Sequence, residues 1–446
     1  MSGQTVSFIR EFRLDNAPDE VVRAARRCLL DLIGVAAAGS RLPVSRIARS
    51  VAHAQFGGGE AKFLFDGRKA SGTGSAFANA TTIDGFDAHD GHPLTKGHAG
   101  CGALSGLVAF AGDGETMSGR EALAHLIVGY EVAIRAGIAL HASAAEYHTS
   151  GAWVALGVAA IGSRCLGLDA ATVREALGVA EFNGPRSPMM RCIDYPTMIK
   201  DGSGWGAMTG VAAAHLAAAG FTGAPAVTVE ETVHEPLWSD LGKRWRITEQ
   251  YLKAYPVCRW AQPAVEAAAQ LRRDHVFEAV DVASIRVKTF TEASRLHVAA
   301  PSTTEEAQYS LPFPLAAFLT RGRLGPEEID GAALADEAIL RLSRATTLID
   351  DPRWSSLFPA ERWAEVEIAL RDGRTLRSEP AVARGSAENP LDDAEVSGKF
   401  HALMQAGGVG ERAAAIEAMV MALEDHGSLR DLLRLIHATP EAGGAP

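Results

Sequence analysis

From residue 103 to 220 the chain is dominated by alanine and glycine, and that stretch restricts the folds open to it. Helical periodicity runs through 103–112, 119–143, 151–167, 170–182 and 204–220. The later breaks carry stop signals at Gly167, Asn183-Gly184-Pro185 and Gly220. Small side chains make shallow grooves, so the ridges of one helix sink into its neighbour and the axes approach closely. The reading is a tight helical bundle. A further helix is predicted over 17–55, opened by Pro18-Asp19-Glu20 and carried by Val21, Val22, Ala25, Leu29, Leu30 and Ile33. No membrane span is expected, because Arg164 interrupts 152–168 and His215 sits inside 206–221.

The texture changes after about 265. Residues 280–292 alternate apolar and polar, as a strand does, and 363–378 alternate on either side of Asp372-Gly373, a hairpin signal. Helical patterns at 305–321 and 326–345 lie between, and 394–437 returns to helix. The tail 438–446 is expected to be disordered. The expected fold is therefore mainly α. A helical domain (1–266 and 396–446) is interrupted by a smaller α+β domain (267–395). A chain of 446 residues buries enough core to fold without disulfides or a structural metal.

Forty-three Lys and Arg stand against 54 Asp and Glu, a net charge of −11. That argues against a nucleic-acid partner but leaves room for a local positive pocket. The five cysteines (Cys28, Cys101, Cys165, Cys192, Cys258) are odd in number and form no Cys-x-x-Cys pair. With no visible signal peptide, they read as reduced thiols of a cytoplasmic protein.

Four segments could carry chemistry. The densest holds Asp84, Asp87, His89, Asp90, His92, Lys96 and His98, three histidines and three acids within fifteen residues, broken by glycine and proline into a loop. His and Asp are good metal ligands, and His89-Asp90 is similar to the HD phosphohydrolase signature. That reading needs further His and Asp ligands elsewhere. The second segment is Glu146-Tyr147-His148-Thr149-Ser150-Gly151, at a helix start. The third places Lys200 on a glycine-rich loop before a helix, suited to an anion although it is no P-loop. The fourth, Lys253 to Trp260, brings Lys253, Cys258 and Arg259 to the change of texture, and domain junctions favour ligands. Dinucleotide, serine-hydrolase and zincin motifs are missing.

An acidic and histidine loop, a second histidine, a lysine loop and a Lys/Cys/Arg segment, in that order, resemble the MmgE/PrpD family. So do DLIGVAAAGS at 31–40, YHTSGAW at 147–153, LGLDAATVREALGVA at 166–180, GFTGAPAVTVE at 220–230, YPVCRW at 255–260 and AQYSLPFPLAAFL at 307–319. The resemblance covers nearly the whole chain. It implies a bundle built from both chain ends with an inserted α+β domain, a homodimer, no cofactor or metal, and an active site between the domains. It also implies site positions at Asp87, His98, His148, Lys200, Lys253 and Cys258.

Two departures stand out. Gly91 takes the place of a threonine that some relatives carry, and Phe313 that of a tyrosine. The expected chemistry moves a proton on carbon next to a carboxylate of a small anionic substrate with several carboxylates. His98 or His148 is the expected base, oriented by Asp87. Lys200, Lys253 and Arg259, with Arg186 or Arg191, form the expected positive pocket, and Tyr147 is a further hydroxyl source. The two lost hydroxyls tilt the expectation toward an epimerase of the iminodisuccinate type. A lyase similar to 2-methylcitrate dehydratase is the alternative.

Overall fold

A computed structural model describes residues 3–112, 117–425 and 427–439. The chain is mainly helical, with one mixed sheet and a two-residue β-ladder near the N-terminal end. The centre of the bundle is the helix Gly119–Ser143, opened by a capping box between Ser118 and Glu121. Gly100–Ala111 and Gly151–Cys165 pack on it, and Ser203–Ala218 packs on Gly151–Cys165. The alanine and glycine content does what the sequence predicted. A Cβ at Gly206 would lie 2.4 Å from the Gly151 carbonyl oxygen, so only glycine allows Ser203–Ala218 to sit this close to its neighbour.

Gly119–Ser143 is itself long and apolar enough to cross a bilayer, which the sequence reading overlooked. Here 94% of its most apolar window is covered by the rest of the bundle. It carries a fully buried Glu131–Arg135 pair, whose arginine also reaches Asp240 and the Leu237 carbonyl. A satisfied buried ion pair belongs to a protein interior rather than to lipid.

The helix expected over 17–55 is two helices, Asp19–Gly39 and Pro43–Gln55, meeting at 91°. Pro43 supplies the reason: its ring keeps Leu42 out of the helical region, and proline suits the first helical position. The pattern over 305–321 is two helices, Thr304–Gln308 and Pro312–Arg321, the second with proline at its first position. The region 326–345 is one helix only from Glu337, and 394–437 is three helices.

The sheet runs Thr346–Asp350, Val282–Thr289, Trp363–Leu370, Thr375–Arg377. The first pair is parallel and the rest antiparallel. The hairpin pairs Ile368 with Leu376, and Gly373 turns it at φ +91°. Helix Gln262–Asp274 packs on this sheet, so the expected boundary at 266/267 falls inside a helix. The boundary at 395/396 falls inside Asp393–Ala406. That helix lies on Asp19–Gly39, with the Phe400 ring against Gly34, so the two chain ends share one core. Of the tail, 440–446 lies outside the described residues.

Candidate active site

The acidic and histidine loop is not a solvated one. Asp84, Asp87, His89, Asp90, His92 and His98 are all buried. Two short ladders hold the loop, one between Gly91 and Tyr251 and one between His92 and Gly97. Asp90 accepts from the Tyr130 hydroxyl and from the Gly100 N–H at 3.3 Å. Burial and nearby Asp31 push its carboxyl up to about 7.

His98 is the pivot. Its Nδ1 bonds the Asp90 carbonyl, which can only accept, so the proton sits on Nδ1 and Nε2 keeps its lone pair. Nε2 lies 3.4 Å from Asp87 Oδ1 and 3.6 Å from Asp201 Oδ2. Burial and the Lys253 ammonium hold the imidazole below its ordinary pKa, so it is neutral near pH 7.

The two carboxyls beside it differ. Burial pushes Asp87 up, but Lys253, His98 and Lys200 outweigh it and hold Asp87 ionised. The Lys253 ammonium pairs with its carboxylate and also donates to its carbonyl at 3.1 Å. Asp201 goes the other way. Burial raises it, His98 opposes, and the charges of Asp84 and Asp87 add to the rise. Ser150 Oγ donates to Asp201 Oδ2 at 2.6 Å while accepting the His98 N–H at 2.9 Å, which fixes the geometry of the pair. A lone-pair nitrogen and a carboxyl whose pKa burial raises thus face each other inside the protein.

These groups, with Tyr251, Tyr309, Cys192 and Cys258, wall a cavity of about 30 Å³. Burial and Asp87 push the Cys258 thiol up to about 12, so it is no thiolate. Arg259 lines the outer end, its guanidinium 4.5 Å from the Tyr251 ring centre. Lys200 stands one layer back. Its ammonium bonds Gln308 Oε1, and that oxygen also takes the Asp87 N–H at 2.7 Å. Lys200 holds φ at +49° and Lys96 at +53°; with Phe65 they are the non-glycine residues of positive φ among those described. Such strain costs about 1–2 kcal/mol and tends to gather at sites.

Several expected residues stand elsewhere. His148 is partly buried, its N–H donating to His141 Nε2 at 3.1 Å, and it does not line the cavity. Tyr147 also lies outside the wall, under the Lys96 ammonium at 3.8 Å from its ring centre. Arg191 is exposed, and Arg186, also exposed, turns to Glu181 at 3.9 Å.

The argument from lost hydroxyls is overturned. Phe313 is fully buried and does not line the cavity, whereas Tyr251 and Tyr309 bring two phenols to it. Gly91 is small because a Cβ there would sit 2.4 Å from the Tyr251 ring and hydroxyl. Asp201, Tyr251, Tyr309, Gln308 and Arg362 were missed as site residues, and Lys96 was named only as a member of the loop. For Asp201 the signal was its place beside Lys200.

Asp87, His89 and His98 bring one potential ligand atom each within 4.8 Å of one another, and neither His89 nitrogen has a hydrogen-bond partner, although Nε2 lies 3.6 Å from Asp84 Oδ1. Yet the Lys253 ammonium already neutralises Asp87, and a cation there would meet Lys200 as well. The donor set fits proton chemistry better than a divalent ion.

Residues 3–233 match the MmgE/PrpD N-terminal domain, and 255–425 match the C-terminal domain. The chain belongs to the MmgE/PrpD family. This membership displaces the HD phosphohydrolase reading. A cis-aconitate decarboxylase-like protein of Aspergillus oryzae is 23% identical over 473 residues, covering 98% of this chain and 97% of its own. The human cis-aconitate decarboxylase is 23% identical over 422 residues, covering 88% of this chain and 85% of its own. That of Aspergillus terreus is 26% identical over 289 residues, covering 58% of this chain and 57% of its own.

Proposed function

We propose that this chain is a lyase that acts on a small polycarboxylate, losing water or carbon dioxide next to a carboxylate, with no step that calls for a cofactor. The observation that carries the reading is the buried pair of His98 and Asp201, 3.6 Å apart and lining one cavity with Lys253, with burial holding the imidazole below and the carboxyl above their ordinary pKa values. In dehydration His98 Nε2 takes the proton from carbon and Asp201 delivers one to the departing hydroxyl. In decarboxylation carbon dioxide leaves its electron pair on carbon, no proton is removed, and Asp201 delivers one to that carbon. Lys253 faces the negative charge that develops on the carboxylate oxygens, and one such donor is worth on the order of 10²–10³ in rate. The names of the relatives favour decarboxylation. The Tyr251 and Tyr309 hydroxyls, whose pKa values burial raises, are further proton donors.

Epimerisation of the iminodisuccinate type is the second reading. It needs one group to remove the proton from one face and a second on the opposite face to return one, so His98 would require a partner across the cavity, such as the Tyr251 or Tyr309 hydroxyl.

The test is proton NMR in deuterium oxide on EDTA-treated enzyme with cis-aconitate, citrate, 2-methylcitrate and iminodisuccinate stereoisomers. A new alkene, or carbon dioxide with deuterium at the adjacent carbon, is the expected result. Stereoisomers interconverting without an alkene would replace it with the epimerase. Activity that appears only with added metal would sink both.

A further inference from the structure

Three cations at the outer end of the cavity have no carboxylate partner within ion-pair distance among the described residues: Lys96, Arg259 and Arg362. Their donors are unevenly used. Arg259 is committed to the carbonyls of Ala383 at 3.2 Å and Arg384 at 2.5 Å. Arg362 makes one hydrogen bond, to the Pro93 carbonyl at 3.0 Å, and its Nε is shut away from solvent with no acceptor. Lys96 makes one, to the Leu94 carbonyl at 3.3 Å. Lys96 has a left-handed backbone, is half-buried over the Tyr147 ring, and lines the same cavity as Arg362. The acid that acts on Lys96, Glu292, forms no ion pair with it. Most buried cations among the described residues are tied to a carboxylate, as Lys253, Arg135 and Arg49 are. Two neighbouring cations with spare donors, turned into one cavity, ask for an anion.

The space agrees. A cavity of about 30 Å³ has room for about one water, too little for a polycarboxylate. Tyr251, Arg259 and Arg362 also wall a second chamber of about 390 Å³ that lies beyond it. A substrate with its reacting end at His98 therefore extends past Arg362.

We infer that Lys96 and Arg362 form a second carboxylate subsite, which holds the distal carboxylate of a di- or tricarboxylate and excludes monocarboxylates. This rests on the reading above for where the reacting end lies, but binding can be measured without turnover. The probe is tricarballylate, a saturated tricarboxylate, compared with butyrate by calorimetry on the full chain.

Wild type should bind tricarballylate at least 100-fold more tightly than butyrate. Arg362→Gln and Lys96→Met should each lose about 10–100-fold for tricarballylate and little for butyrate. Arg362→Lys, which keeps the charge but not the fork, should fall between and guards against misfolding of the glutamine variant. Where turnover is seen, KM should rise far more than kcat falls. Tricarballylate binding within twofold of wild type in both charge-removing variants, at unchanged melting temperature, overturns the subsite. So does wild type that prefers tricarballylate no more than butyrate. If no polycarboxylate is turned over but this binding pattern holds, the reaction assignment fails and the subsite stands.

Discussion

Replacing Lys253 with methionine tests the central electrostatic claim. The side chain is 1% exposed, so methionine keeps most of the packing and removes the charge. Asp87 is then left at 3% exposure with no direct cationic partner, since Lys200 is spent on Gln308. Removing one partner of a buried pair costs about 3–5 kcal/mol. A second route gives a similar figure. The stranded carboxylate escapes by taking a proton, and at pH 7 that costs about 4 kcal/mol for a group of ordinary pKa near 3.9.

The sign of the pH dependence follows. In wild type the depressed Asp87 adds stability above about pH 4 and loses it below. In the variant the raised Asp87 adds a penalty that grows as pH climbs from about 4. The gap between the two should therefore shrink to about 1.5 kcal/mol at pH 5. Urea unfolding at pH 5, 6 and 7 measures it. The double variant Lys253→Met with Asp87→Asn should recover most of the loss at pH 7 while remaining inactive. A gap under about 1 kcal/mol at pH 7 would refute the reasoning, as would one that ignores pH or a double variant no more stable than the single one.

Asp201→Asn should lower kcat by about 10²–10⁴ and leave tricarballylate binding within a few-fold; retained turnover would show that Asp201 moves no proton. Asp90→Asn should stabilise the protein at pH 8 by roughly 1–4 kcal/mol, with the gain closing toward pH 4 in thermal melts. The folded carboxyl keeps its proton to about 7, whereas the unfolded one loses it near 3.8, so wild type gives up stability across that window and asparagine does not. Gly91→Ala should cost about 1–3 kcal/mol and weaken polycarboxylate binding, because the Tyr251 ring that carries Arg259 must move; an unchanged melt and affinity would contradict this.

The bundle was legible because alanine and glycine along helices allow few other packings, and the hairpin because Asp372-Gly373 stands between alternating runs. The kink at Pro43 follows from a local steric rule and could have been read in advance. The site was legible as a list of residue types in order, but not as a geometry. Asp87, His98 and Lys253 meet in one wall, yet His148 and Arg191 look equally suitable in sequence and lie outside it. Nothing local marks Arg362, which precedes the strand Trp363–Leu370 and is brought to the Pro93 loop by tertiary folding across 269 positions. Nor does anything local show that Tyr251 fills the space at Gly91.

The helix Asp393–Ala406 has a consequence for synthesis. Its Lys399 pairs with Asp31 at 2.6 Å and donates to the Ala88 carbonyl at 2.6 Å, inside the histidine loop and 311 positions upstream. The loop emerges early from the ribosome but lacks this brace until nearly the whole chain has followed. At about 5–20 residues per second, that is roughly 15–60 s of waiting. A chain cut short before Lys399 would carry every residue of the inner cavity and still lack the strut beneath its loop.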